Sequence, residues 1–296
     1  MTLGADPALS AAAGTVRMAL TWAVHQFATQ NDSPRPDAEV LLAHVLMQSR
    51  AYLMAQPERR LEPAALECFR HLVARRVQGE PIAYLTGARE FWSRRFRVTP
   101  ATLIPRPETE LLIELALERL PPDVPRRVAD LGTGSGAIAV TLALERPACA
   151  VVATDLSATA LDVARENARE LGAINVEFRI GDWCAALAGE RFDVIVSNPP
   201  YVAAGDPHLR QGDLRYEPRQ ALAAGGSGLE AIERIAAAAP AHLVPGGWLL
   251  LEHGYDQAAA VAALLAQHGY SGIEHRADIG GHRRVLAARH AGQDSA

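Results

Sequence analysis

Asn198-Pro199-Pro200-Tyr201 is the segment whose residue types and order carry the most specific chemistry. Two consecutive prolines fix two φ angles and remove two backbone donors, so the carbonyls of such a turn are aimed rather than mobile. A planar NH2 group needs two acceptors at a fixed angle. The side-chain carbonyl of Asn198 and the backbone carbonyl of Pro199 form such a pair, and Tyr201 can cover the planar group by stacking. Accepting hydrogen bonds from the NH2 pushes electron density toward its nitrogen. Positive charge that builds there during attack on an electrophile then strengthens both bonds. With a sufficiently reactive donor, positioning serves without a dedicated base. A bare Pro-Pro reads as a rigid strand end, whereas Asn-Pro-Pro-Tyr reads as a clamp for an amide or amino nitrogen.

A second constellation lies upstream. Asp130-Leu131-Gly132-Thr133-Gly134-Ser135-Gly136 falls where a short apolar strand meets a helix, the place where open α/β sheets bind ligands. Glycines let the backbone turn sharply and approach a ligand, and the following helix start presents free N–H groups suited to a carboxylate or other anion. The spacing is G-x-G-x-G with Ala137 next, whereas a nicotinamide enzyme more usually shows G-x-G-x-x-G. Asp155 ends the next strand, about 20 residues on, where a carboxylate accepts hydrogen bonds from ribose hydroxyls. Gly181-Asp182-Trp183 follows a third strand and sets a carboxylate and an indole where an adenine would lie. Trp183 suits stacking or N–H donation there, and equally suits capping the core. Asp130 is read as a brace for the glycine loop through backbone N–H groups.

The elements that must position these groups follow from periodicity. Val16 to Phe27, Ala38 to Met47 behind Pro36, and Pro63 to Val77 repeat apolar residues at helical spacing, giving a small N-terminal helical domain over 1–88. Its arginines are balanced by an equal number of acids, so it offers no strong field. Phe91, Trp92, Phe96, Val98 and Leu103 alternate with polar residues and predict a linking β-hairpin over 89–104. From 105 to 290 strands and helices alternate. Helices are expected at Glu108–Leu120, Ser135–Glu145 and Ala158–Leu171, from Leu229 and from Gln257. Strands are expected at Arg127–Leu131, Ala150–Thr154, Val176–Ile180, Phe192–Ser197 and Trp248–Glu252, with two more closing the domain. That order implies right-handed β-α-β units and a largely parallel sheet, with a tail at 291–296.

Composition narrows the function classes. The 296 residues carry a net charge of −5, and all 29 basic residues are arginine. Generic tight binding to a polyanion is disfavoured, and no stable nucleic-acid complex is expected. No apolar run approaches the roughly 20 residues of a membrane span, and the N-terminus lacks the features of a secretory signal. The expectation is a cytoplasmic monomer. Cys68, Cys149 and Cys184 are widely spaced, with no metal-ligand pattern, and read as packed thiols; no metal is expected.

In this order the residues resemble class I S-adenosylmethionine-dependent methyltransferases that modify planar nitrogens. Further segments narrow the resemblance: Glu80-Pro81-Ile82-Ala83-Tyr84-Leu85-Thr86-Gly87, Arg89-Glu90-Phe91-Trp92, Leu103-Ile104-Pro105-Arg106-Pro107-Glu108-Thr109-Glu110, Glu217-Pro218-Arg219-Gln220-Ala221-Leu222, Leu251-Glu252-His253-Gly254 and Asp278-Ile279-Gly280-Gly281-His282-Arg283. Together they are similar to the PrmC/HemK family over about residues 15 to 289. The resemblance implies an α/β fold: a Rossmann-like, seven-stranded methyltransferase domain with a helical N-terminal domain and a β-hairpin between them. It also implies N5-methylation of the glutamine in the Gly-Gly-Gln motif of class-1 peptide-chain release factors, with S-adenosylhomocysteine as product. Carried over by residue, Gly132, Thr133, Gly134, Ser135, Gly136, Asp155, Asp182, Trp183 and Asn198 would contact the cofactor. Asn198, Pro199, Pro200 and Tyr201 would hold the glutamine, with Asn198, Pro199 and Tyr201 as its catalytic residues. Ser227 stands where the family usually has an acid. Arg106, Glu108 and Thr109 read either as a segment closing over the cofactor's methionine end or as an exposed helix start, and His253 reads as structural.

Three other readings share parts of this pattern. An amino group of a flipped nucleic-acid base would fit the same Asn-Pro-Pro-Tyr clamp. A catalytically silent S-adenosylmethionine-binding adaptor would keep the glycine loop without turnover. A nicotinamide-dependent oxidoreductase would need a hydride-handling acid or base, which these segments do not supply.

Overall fold

The computed structural model describes residues 14–27 and 33–291, so the tail expected at 291–296 lies, apart from Ala291, outside the described residues. The chain divides into two compact units, one up to Gly87 and one from Ala88 onward.

The first unit holds helices α1 (Val16–Phe27), α2 (Pro34–Leu46), α3 (Arg50–Ala55), α4 (Pro63–Val77) and α5 (Ile82–Thr86). Val16, Ala19, Leu20, Ala23 and Phe27 place one buried stripe along α1, and Leu66, Phe69, Leu72 and Val73 do the same on α4. α2 begins four residues before the expected Ala38. Pro34 and Pro36 both sit in its first turn, where no intrahelical N–H is required. Cys68 lies off the α4 stripe and is exposed, so only Cys149 and Cys184 are packed thiols.

The second unit opens with the hairpin β1 (Ala88–Phe91) and β2 (Arg94–Arg97). Its two-residue turn places Trp92 at φ 51° and Ser93 at φ 56°, the left-handed geometry that hairpins usually assign to Asn-Gly. Side chains from the helices hold it there: Glu110 accepts from the Trp92 N–H at 2.7 Å, and Glu145 accepts from the Trp92 indole at 3.1 Å. Phe91 and Phe96 are buried in the core of this unit.

Helices α6 (Glu110–Leu117), α7 (Ala137–Glu145), α8 (Ala158–Leu171), α9 (Arg219–Leu222), α10 (Glu230–Ala238) and α11 (Ala258–Gln267) accompany strands β3 (Arg127–Leu131), β4 (Ala150–Asp155), β5 (Val176–Ile180), β6 (Phe192–Ser197), β7 (Leu243–Glu252), β8 (Tyr270–Ala277) and β9 (Arg283–His290). The seven strands form one sheet in the order β5-β4-β3-β6-β7-β9-β8. Pairs from β5 through β7 are parallel; β9 runs antiparallel to both β7 and β8. Alternate strand residues feed two cores. Val194 and Val196 pack with α6 and α7, whereas Ile195 packs with α10 and α11.

Strand order reverses between β3 and β6, so a crevice opens at their carboxyl ends. Asn167 of α8 fixes one side of it. Its buried amide accepts from the Arg97 N–H at 2.7 Å and donates to the Arg97 carbonyl at 3.0 Å and the Ser135 carbonyl at 2.8 Å, joining hairpin, helix and glycine loop. Asn167→Ala removes three hydrogen bonds, one buried and two partly buried, and is expected to lower stability by about 2–4 kcal/mol in urea unfolding followed by tryptophan fluorescence. An unchanged midpoint would count against this role.

Candidate active site

Register places the two chemical segments side by side. In the parallel pairing Leu131 lies opposite Ser197, and the Ser197 hydroxyl donates to the Leu131 carbonyl at 2.7 Å. The glycine loop and the Asn198 turn therefore leave adjacent strands at the same level. Between them lies an open crevice that the two segments line together. Gly132, Gly134, Asp155, Asp182, Trp183, Asn198 and Pro200 line it, together with Thr102, Leu103, Pro218 and Gln220.

The loop wall is tightly determined. Asp130 is fully buried and its Oδ2 accepts from the Thr133 hydroxyl at 2.6 Å and the Ala139 N–H at 3.1 Å, so it braces the loop. Burial pushes its carboxyl up to about 7 despite those two bonds. Gly132 has φ 73°, and a Cβ there would stand 2.9 Å from the Trp183 ring. Glycine is thus required twice, for backbone geometry and for the indole lying against it. The Asp155 carboxylate accepts from the Gly134 N–H at 2.9 Å and the Ser157 N–H at 2.8 Å, which leaves lone pairs on both oxygens facing outward. Asp182 pairs with Arg234.

The opposite wall is backed by a buried polar chain. Asn198 Nδ2 donates to Thr109 Oγ1 at 3.1 Å, Thr109 Oγ1 donates to Glu252 Oε2 at 2.7 Å, and the Tyr201 hydroxyl donates to Glu252 Oε1 at 3.1 Å. Glu252 closes the apolar end of β7 with 1% exposure. Burial raises its carboxyl to about 7, against the two hydrogen bonds it accepts; Glu108 adds to the rise and Arg284 opposes it. Burial and the neighbouring Glu252 charge push the Tyr201 phenol well above its ordinary range. Gln257 secures the backbone behind Tyr201, donating to its carbonyl at 3.0 Å. The fully buried Glu217 carboxylate fastens the rim, accepting from the Ile104 N–H at 3.0 Å and from Arg106. One charge thus ties together the segments on either side that carry Thr102, Leu103, Pro218 and Gln220.

Of the residues expected from sequence, Gly132, Gly134, Asp155, Asp182, Trp183, Asn198 and Pro200 converge on the cavity. Thr133, Ser135, Gly136, Pro199 and Tyr201 do not line it. Thr133 and Ser135 are buried, the Thr133 hydroxyl donating to Asp130 and the Ser135 carbonyl accepting from Asn167; Gly136, at φ 81°, caps the start of α7. Arg106 and Thr109 do not form an exposed helix start, since Arg106 pairs with Glu217 and Thr109 is buried against Asn198 and Glu252. His253 is fully buried with its Nδ1–H donating to the Gly254 carbonyl, and burial lowers its pKa. Sequence reasoning missed Glu252, Thr109 and Glu217 as partners of the site. The available signal was an acid directly after the apolar run of β7, and an acid before Pro218.

Comparison with known proteins identifies the family and the fold. Residues 18–87 match the PrmC N-terminal domain and residues 109–229 match the methyltransferase small domain. The release factor glutamine methyltransferase of Xylella fastidiosa (strain Temecula1) is 55% identical over 86% of this chain and 93% of its own length. That of Coxiella burnetii is 50% identical over 89% and 95%, and that of Escherichia coli (strain K12) 48% identical over 88% and 94%. Among solved structures, a methyltransferase from Pyrococcus furiosus superimposes with a TM-score of 0.51 at 21% identity, covering 73% of this chain and 96% of that one. The catalytic domain of hMettl16 in complex with the MAT2A 3'UTR hairpin 6 gives 0.53 at 18% identity over 74% and 82%. These likenesses show a Rossmann-like methyltransferase fold.

The raised Glu252 carboxyl sets the sign of a pH effect. A group whose folded value exceeds its unfolded value contributes stability fully below the unfolded value, near 4.5, and loses it as pH rises through about 7. Glu252→Gln does not titrate. Wild type is therefore expected to lose stability relative to Glu252→Gln between pH 5 and 8.5, by up to about 3 kcal/mol in urea unfolding. A difference that stays flat with pH would contradict the buried-acid assignment.

Proposed function

The chain belongs to the family of release factor glutamine methyltransferases, and from that premise we propose that it methylates the side-chain nitrogen of the glutamine in the Gly-Gly-Gln motif of class-1 peptide-chain release factors, using S-adenosylmethionine. The observation that carries this reading is the single crevice in which Asn198 faces the glycine loop and Asp155. Asp155 is assigned to the ribose hydroxyls, Asp182 and Trp183 to the adenine end, and the loop from Gly132 to Gly136 to the methionine end. Asn198 serves both ligands, touching the cofactor and accepting from the glutamine NH2.

Asn198 Oδ1 and Pro200 meet the amide from the cavity lining, while the Pro199 carbonyl is assigned as its second acceptor and Tyr201 as its cover from beside that lining. The cofactor supplies an electrophilic methyl group on a sulfonium. As the new N–C bond forms and the S–C bond breaks, both acceptors stabilise charge on nitrogen. One N–H proton then leaves to solvent, and S-adenosylhomocysteine is the product. The site fits a ligand of this kind: a carboxylate with free lone pairs lies one strand from a glycine loop whose Cα is covered by an indole. Acting on release factors, the protein is assigned to the cytoplasm, as a monomer without stable nucleic-acid binding.

Labelled S-adenosylmethionine with release factor, with the release factor's Gln→Ala variant, and with tRNA, rRNA and DNA decides the substrate. Label is expected in the unaltered release factor alone; label in nucleic acid only would overturn the proposal. Asn198→Ala should reduce turnover about 100-fold or more while cofactor affinity stays within a few-fold. Gly132→Ala, strained at φ 73° and crowding Trp183, should weaken cofactor binding at least about tenfold by calorimetry.

A further inference from the structure

The Asn198 amide works as a clamp only in one orientation. With Oδ1 toward the substrate it accepts from the NH2; turned over, it presents its own NH2 and two donors face each other. Steric shape barely distinguishes the two orientations, so something must choose between them. The choice is made two hydrogen bonds away.

We propose that Glu252 is a positioning residue that sets the polarity of the Asn198 amide through Thr109, and this rests on the reading of Asn198 as acceptor for the substrate amide. An ionised carboxylate only accepts. The single Thr109 hydroxyl proton is therefore drawn to Glu252 Oε2, 2.7 Å away. The Thr109 oxygen has only lone pairs left, and the group 3.1 Å from it must be the Asn198 NH2. Asn198 Oδ1 is then turned away from Thr109, with no protein partner among the described residues, on a side chain that lines the cavity. Tyr201 donates to the other carboxylate oxygen, so Glu252 also anchors the far end of Asn198-Pro199-Pro200-Tyr201. Both ends of the clamp are thereby fixed by one carboxylate that itself does not line the cavity.

The buried setting makes this selection sharp. Thr109 is 4% exposed and Glu252 1%, so no water competes for the hydroxyl proton. The charged and titratable groups facing Glu252 are Glu108 from the turn before α6, Tyr201 from the turn after β6 and Arg284 from β9. Burial holds the carboxyl near 7, so acid reverses the chain. Protonated Glu252 donates to Thr109, Thr109 donates to Asn198, and the amide turns over. Loss of turnover as pH falls through about 7 is the corresponding signature in wild type.

The test measures kcat and KM for release factor, and cofactor affinity by calorimetry, in Glu252→Gln, Thr109→Val, Thr109→Ser, their Glu252→Gln/Thr109→Val combination and Asn198→Ala. Glu252→Gln and Thr109→Val are each expected to lower kcat about 10- to 100-fold with cofactor affinity within about threefold. Thr109→Ser keeps the hydroxyl and should restore kcat to within about threefold of wild type. The double variant should be no worse than the weaker single, because both break one chain. The acid limb near pH 7 should disappear in Glu252→Gln. Should Glu252→Gln fail to fold, the Val/Ser pair at Thr109 decides alone. Retention of kcat in Thr109→Val while Asn198→Ala is inactive would overturn the positioning role and leave the clamp standing. Full turnover in Asn198→Ala would instead overturn the clamp on which it rests.

Discussion

Everything chemical in this protein depends on the parallel register between β3 and β6. Leu131 lies opposite Ser197, and the Ser197 hydroxyl bonds to the Leu131 carbonyl across the point where strand order reverses within the parallel part of the sheet. A parallel pair is extended on both sides by strands, and its two carboxyl ends emerge at one level. Two segments more than sixty residues apart are thus brought to a single strand spacing of about 4.8 Å. Slipping the register by one residue would turn Val194, Ile195 and Val196 to the wrong cores, so hydrophobic burial enforces the alignment that chemistry needs.

Around that fixed seam the protein spends three buried carboxylates. Asp130 braces the glycine loop, Glu217 joins the rim segments and Glu252 backs the Asn198 turn. A buried acid costs stability unless its oxygens are occupied; Glu217 and Glu252 each have both oxygens held by donors on the chain, whereas both donors to Asp130 meet Oδ2 and its buried Oδ1 has no partner among the described residues. The donors come from distant segments: residues 104 and 106 for Glu217, residues 109 and 201 for Glu252. Local strain follows the same logic. The left-handed Trp92 and Ser93 persist because Glu110 and Glu145 occupy the donors of Trp92.

Much of the fold was legible because it is periodic. The α1 and α4 stripes and the strands at 127–131, 176–180 and 192–197 fall where apolar spacing places them. Short elements were not legible. α3 and α5 have six and five residues, too few for a stripe to repeat, and the helix expected at 108–120 breaks into a 3-10 turn at Pro107–Thr109 and a shorter α6. For the site, the residues that define glycine and proline geometry were readable, since those types have few uses. Thr109, Glu217 and Glu252 were not, because a threonine or glutamate looks alike whether solvated or buried. Only the fold brings residue 109 to residues 198 and 252. Asn167 is hidden for the same reason: its role is to match three backbone groups contributed by positions 97 and 135.

The antiparallel strand β9 carries a consequence for the order in which the molecule can be completed. It fills the gap between β7 and β8, pairing with both, and β8 has no other partner in the sheet. Val285, Leu286, Ala287 and Ala288 of β9 are fully buried, and the His253 N–H, next to Glu252, bonds to the Arg284 carbonyl. During synthesis β7 therefore keeps an open edge, and β8 stays unattached, until residues 283–290 have left the ribosome. The wall behind Asn198 is among the last parts to become rigid, although Asn198 is made nearly a hundred residues earlier.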